Sequence, residues 1–149
     1  MRTLAIDYGT RRIGLALSDA DGRFATPIEV LHVSSPEEAV PEILKLIRRE
    51  DVRRLVVGLP LNMDDSVGKG ARDTARFGRR VAGAAGVPLV LVDERLSSFQ
   101  AEQGLIDRKR GGERLTRQMK KDRLDAIAAA GFLQDYLDGK LAAINRGNL

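Results

Sequence analysis

The chain has 149 residues, 43% of them hydrophobic, the size and apolar content of one ordinary globular domain spanning 1–149 without a linker. It contains no cysteine, which excludes disulfides, thiolate metal sites and a cysteine nucleophile and fits a reducing compartment. The 25 Lys and Arg against 21 Asp and Glu leave a net charge of +4, which favours an anionic partner, nucleic acid first, and the charged residues close to Met1 leave no room for a signal-peptide core or a membrane span. A cytoplasmic protein with no membrane partner is expected.

Leu4-Ala5-Ile6 and Ile13-Gly14-Leu15-Ala16-Leu17 are short apolar runs on either side of Tyr8-Gly9-Thr10-Arg11-Arg12, the spacing of two antiparallel strands with a tight connection. Asp19 to Gly22 reads as the next turn, and a third strand is expected over Ile28–Val33, its pattern interrupted by Pro27 and Glu29. Ser35-Pro36-Glu37-Glu38 combines an N-cap serine, a first-turn proline and a capping-box glutamate, and Val40, Ile43, Leu44 and Ile47 follow at helical spacing. Leu55 to Leu59, stopped by Pro60, and Leu89 to Val92 are continuous apolar runs of buried parallel strands. Between them Lys69 to Ala85 predicts a helix, weakened by Gly78 and Gly83, with Lys69, Arg72, Arg76, Arg79 and Arg80 as its solvent face. Ser97 to Leu105 predicts another helix. Thr116 to Leu137 predicts a last one, with Leu124, Ile127, Ala128 and Gly131 facing the sheet. Asp107 to Leu115, rich in Arg, Lys and Gly, reads as a basic loop. The fold class that results is α/β, a mixed five-stranded sheet of three antiparallel strands and then two parallel ones, flanked by helices.

Three carboxylate positions fall where such a sheet presents its functional edge. Asp7 closes the first strand, Asp93-Glu94 closes the last, and Asp125 shares a helix face with Ala128, Ala129 and Phe132. A charge on an apolar face needs a reason, and a divalent cation is one: Mg2+ takes a few carboxylates plus water and phosphate oxygens. Each carboxylate also has an ordinary alternative, Asp7 as a turn residue, Glu94 paired with Arg95 or Arg11, and Asp125 paired with Lys121. Alternation along the strand lets only one of Asp93 and Glu94 point inward, and spacing does not select it. From Arg108 to Arg123 stand eight basic residues, Arg108, Lys109, Arg110, Arg114, Arg117, Lys120, Lys121 and Arg123, against Glu113 and Asp122, and they lead straight into Asp125. That is the composition of a phosphate-gripping surface beside the site, or of a solvated loop. With 4% aromatics and no Trp, an extended base-stacking platform is not supported. The lone His32 cannot make a histidine cluster and reads as a surface residue. Gly68-Lys69-Gly70 is no P-loop, because Met63 replaces the spacing glycine and no Ser or Thr follows the lysine.

These residues resemble the YqgF/RuvX family of pre-16S rRNA nucleases and Holliday-junction-resolvase-like proteins over nearly the whole chain. The matching blocks are Ala5 to Asp19, Val57 to Asn62, Val92 to Ser97, and Asp125 with Ala128-Ala129. The resemblance implies a ribonuclease H-like fold and a divalent-metal carboxylate site at Asp7, Glu94 and Asp125, with Asp93 and Asp122 as candidates for a further carboxylate. It also implies cleavage of structured RNA at the 5′ end of pre-16S rRNA, of branched DNA, or of both. Asp65 departs from the family, whose members more often carry glycine there. The expected enzyme is an endonuclease, monomeric or homodimeric, in which Mg2+ or Mn2+ activates water while Arg11, Arg12 and the 108–123 segment hold the backbone. Two other classes stay open: a phosphotransfer domain, since Asp7-Tyr8-Gly9-Thr10 resembles the first phosphate loop of actin-like and sugar-kinase ATPases, and a non-catalytic RNA-binding module.

Overall fold

The computed structural model describes residues 1–96 and 117–144, with side chains of the last helix described from Arg123 onward. Strands β1 (Arg2–Asp7), β2 (Arg12–Ser18), β3 (Ala25–His32), β4 (Val52–Leu59) and β5 (Leu89–Asp93) form one sheet in the order β3-β2-β1-β4-β5. β1, β2 and β3 pair antiparallel, while β4 and β5 join β1 in parallel. Helices α1 (Val40–Arg49) and α2 (Lys69–Ala85) cover one face, and α3 (Arg117–Leu137) lies across β1, β2 and β3 on the other. This is the mixed sheet expected from the apolar runs. The predicted helix at Ser97–Leu105 and the basic loop at Asp107–Leu115 lie outside the described residues.

Alternation divides the strands between two cores. Leu4, Ile6, Ile13, Leu15, Leu55, Val57, Leu89 and Leu91 pack against α1 and α2. Ala5, Ala16, Val56 and Val92 pack against Ala129, Phe132 and Leu133 of α3. The α3 side is built from small residues, so that helix sits close to the sheet.

Local expectations are corrected in three places. β3 begins at Ala25 and runs through Pro27, because it is an edge strand and because Leu15 pairs with Glu29 while Ala16 pairs with Pro27, leaving Ile28 as the extra residue of a bulge. Before α1 the chain makes a 3-10 turn (Pro36–Ala39), and the Ser35 side chain forms no capping hydrogen bond. Glu38 instead accepts the Ser34 amide at 3.0 Å. On α3 the residues buried against the sheet are Ala126, Ala129, Phe132 and Leu133, not Leu124, Ile127, Ala128 and Gly131, which are only half-buried.

Candidate active site

The same alternation settles what spacing left open. Asp7 follows Ala5 in parity and therefore faces α3, as does Glu94 after Val92, whereas Asp93 falls on the side of Leu91. Asp93 is taken up by Arg95, which donates from its backbone N and its Nε to Oδ1 at 3.0 Å each and from Nη2 to Oδ2 at 2.7 Å. That hydrogen bonding, with the charge behind it, holds the Asp93 carboxyl below its usual range. Asp93, expected as a possible further metal carboxylate, is thus held by Arg95 on the side of the sheet away from Asp7. Arg95 also donates to Asp65 Oδ1 at 2.7 Å and to the Asn62 carbonyl, so it ties the β4–α2 loop to the end of β5. Asp65 has φ 67, which explains why glycine suits that position in the family, and its carboxylate gains the Arg95 contact.

Two glycines allow the close approaches that set Asp125 and Glu94 on this face. A Cβ on Gly14 would overlap the Asp125 carbonyl oxygen and lie 2.5 Å from the carbonyl carbon, so the first described turns of α3 rest directly on β2. Gly58, in the strand between Asp7 and Glu94, leaves room where a Cβ would meet Glu94 Cβ, Glu94 Oε2 and Phe132 Cε2, each at 3.1 Å. Both had been read only as parts of strands. The available signal was glycine inside an apolar strand, which marks a close approach. Gly58→Ala is expected to push the Glu94 carboxyl away, lowering cleavage by roughly tenfold while costing about 1 kcal/mol of stability, checked by initial rates beside thermal unfolding.

The electrostatics follow from this crowding. Asp7 is pushed up to about 8, chiefly by burial, then by the charges of Glu94 and Asp125, with Arg12 opposing. Glu94 is pushed up to about 6 by burial and then by Asp93. Arg12 Nε lies 3.1 Å from Asp125 Oδ2, giving Asp125 an ion pair with Arg12. Arg12, expected to hold the nucleic-acid backbone, thus also has a partner inside the site, whereas Arg11 is exposed.

Asp7, Asp125, Gly9, Thr10, Arg11 and Arg12 line a cavity of about 670 Å3 closed on one side by Tyr8, His32 and Val33. His32 is exposed on β3, as expected. Among the described residues no group of three His, Cys, Asp or Glu side chains is gathered so as to hold a metal ion. The donor set nevertheless suits a hard divalent cation, since Glu94 and Asp125 add to burial in raising the proton affinity of Asp7, in a place that an ion would neutralise. Of the remaining candidates, Arg108, Lys109, Arg110 and Arg114 lie outside the described residues, and Arg117, Lys120, Lys121 and Asp122 stand on α3 without described side chains. The exposed face of α2 carries Lys69, Arg72, Arg76, Arg79 and Arg80, as predicted. Among the described residues no helix is long and apolar enough to cross a membrane.

Comparison with known proteins bears on the family and the fold. Residues 1–139 match the family described as "RuvX: Holliday junction resolvase". A "Putative pre-16S rRNA nuclease" of Chloroflexus aurantiacus is 41% identical over 145 residues, covering 97% of this chain and 92% of the relative. Another protein of that description, from Anaeromyxobacter sp. strain Fw109-5, is 44% identical over 142 residues, 95% of this chain and all of the relative. Among solved structures, T. thermophilus RuvC in complex with Holliday junction substrate superposes with a TM-score of 0.60 at 18% identity, over 94% of this chain and 95% of that one. Fowlpox virus resolvase, solved with Holliday junction DNA, gives 0.53 at 10% identity over 93% and 98%. The fold is therefore that of the RuvC-like, ribonuclease H-like resolvases, and nothing in these matches favours the phosphotransfer or non-catalytic alternatives. With its family match over 1–139 and its near full-length relatives, the chain belongs to the RuvX family and is a nuclease by kind.

Proposed function

We propose that the chain is a metal-dependent endonuclease that hydrolyses phosphodiester bonds in structured RNA and matures the 5′ end of pre-16S rRNA in the cytoplasm, acting as one domain over 1–149. The observation that carries the chemistry is the convergence of Asp7, Glu94 and Asp125 on one face of the sheet, with Asp7 and Asp125 opening into the cavity that Arg11 borders. The substrate rests on the relatives named for it at 41% and 44% identity.

In this reading Asp7, Glu94 and Asp125, with Asp122 as a further candidate one turn earlier on α3, hold one or two Mg2+ or Mn2+ ions. Such an ion supplies an activated water and neutralises charge on the leaving oxygen. The chain's own residues do the rest. Asp7, whose carboxyl is pushed up to about 8 without metal, is the group that would release a proton on binding such an ion. Arg12 turns from Asp125 toward the phosphate, and Arg11 with Arg108, Lys109, Arg110, Arg114, Arg117, Lys120 and Lys121 holds the flanking backbone by charge. Arg12→Gln is accordingly expected to tighten Mn2+ binding about threefold to tenfold, followed by the paramagnetic resonance of free Mn2+, while it slows cleavage.

A second reading, resolution of four-way DNA junctions, is favoured by the description of the matched family. Symmetric resolution would call for a two-fold homodimer, whereas trimming one rRNA end suits a monomer. A side-by-side assay on precursor 16S rRNA and on a four-way junction, with Mg2+ or Mn2+, tests both. Cleavage of the RNA that is lost in Asp7→Asn supports the proposal, and cleavage of either substrate at the parent rate by a folded Asp7→Asn overturns it.

A further inference from the structure

Tyr8 directly follows Asp7 and walls two cavities. On one side lies the Asp7 cavity, and on the other a cavity of about 270 Å3 between the turn before α1 and the side of α2. The floor of the second cavity is Tyr8, Phe77 and Pro36. Phe77 is buried and its ring centroid stands 5.1 Å from that of Tyr8 with the planes tilted by 46°, so the half-exposed Tyr8 ring is packed against a fixed neighbour. The rim carries Glu37, Asp73, Arg76 and Arg80. Arg80 donates to Glu37 and Arg76 pairs with Asp73 at 3.5 Å, so two guanidiniums and two carboxylates cancel in charge while offering donors and acceptors around an aromatic floor.

An isolated phosphate would meet Glu37 and Asp73 here and is a poor occupant. A flat, neutral group with polar edges fits each feature. The volume is just below the ~300 Å3 at which drug-sized pockets begin, enough for one ring system and too little for a base pair. Beyond the cavity the exposed basic face of α2 continues with Lys69, Arg72 and Arg79, which can take the next phosphates of a strand.

We propose that this second cavity is a nucleobase subsite: one unstacked base of the substrate strand lies on Tyr8, beside the phosphodiester held at Asp7. The inference rests on the reading of the Asp7 cavity as the phosphodiester site. It differs from an extended stacking platform, which the low aromatic content disfavours, because it needs one ring only.

The test pairs variants of the full chain with substrates lacking single bases. The probe is a precursor 16S rRNA fragment, or a four-way DNA junction if that is what the protein cuts, with abasic positions scanned on both sides of the mapped cleavage site. In the parent protein one abasic position next to that site is expected to raise KM about fivefold to a hundredfold. Tyr8→Leu, which keeps apolar contact with Phe77, is expected to raise KM by the same factor on the intact substrate and to be insensitive to the same abasic position. Tyr8→Phe keeps the ring and should restore parent KM. If the abasic and Tyr8→Leu effects multiply, or if no single abasic position matters, the subsite is wrong even though the enzyme cuts. A Tyr8→Leu protein that unfolds leaves the abasic scan on the parent and on Tyr8→Phe to decide. Failure of the underlying reading looks different, because Asp7→Asn would then cleave as fast as the parent.

Discussion

Asp7→Asn is expected to lower metal-dependent cleavage by roughly a thousandfold or more, about 4 kcal/mol of barrier, and yet to make the metal-free protein more stable. The second effect follows from proton linkage. Asp7 has a folded-state value of about 8 against an ordinary 3.8, so between those pH values the folded chain keeps a proton that the unfolded chain has lost. Stability therefore falls as pH rises from about 4 to about 8, and asparagine removes that loss. A rise from 3.8 to about 8 sets a ceiling of about 5 to 6 kcal/mol, and water entry and side-chain relaxation reduce it to roughly 1 to 3. At about 2–4 °C per kcal/mol for a chain of this length, the variant should melt roughly 2–12 °C above the parent at pH 8 without metal, with the gap closing toward pH 5. Saturating Mn2+ should reverse the order, because only the parent gains the binding free energy of the ion. Melting curves at pH 5 and pH 8, with EDTA and with Mn2+, check the whole pattern. A lower melting temperature for the variant at pH 8 in EDTA would show that Asp7 is not crowded by its neighbours.

Gly14→Ala is expected to be the most damaging glycine-to-alanine change among the described residues. The added carbon would overlap the Asp125 carbonyl oxygen, and both partners are backbone, so no side-chain rotation relieves the clash. Either α3 lifts from β2 or β2 bends at a residue paired with Asp7 on one side and Val30 on the other. The cost is about 3 kcal/mol or more, read as a lower urea midpoint, and cleavage should fall with it because Asp125 moves with its helix. Asp125→Asn separates the two effects: it should abolish cleavage while leaving the backbone contact and most of the stability intact.

The strands were legible in the chain because apolar runs of the right length leave little choice, and Pro60 marks the end of β4 plainly. Asp7 and Asp125 were legible as a charge closing an apolar strand and a charge on an apolar helix face. The choice of Glu94 over Asp93 depended on which sheet face α3 covers, a contact between residues more than a hundred positions apart. Its trace was present in the small residues Ala5, Gly14, Ala16 and Gly58, which share the α3 face of the sheet. The buried stripe of α3 was misread because an alanine-rich helix offers little contrast, so Leu124 and Ile127 outweighed Ala126 and Ala129 by size. Arg12 was read by charge alone as a backbone contact. Its ion pair with Asp125 appears only once β2 and α3 are in contact.

The seat of α3 on Gly14 also has a consequence for timing. Asp7 and its strand leave the ribosome before Asp125, which arrives on α3, after all five strands. In the proposed reading a chain cut short before residue 117 carries Asp7 and Glu94 without Asp125. The acidic set proposed to hold the metal is therefore assembled only after the whole sheet has been made.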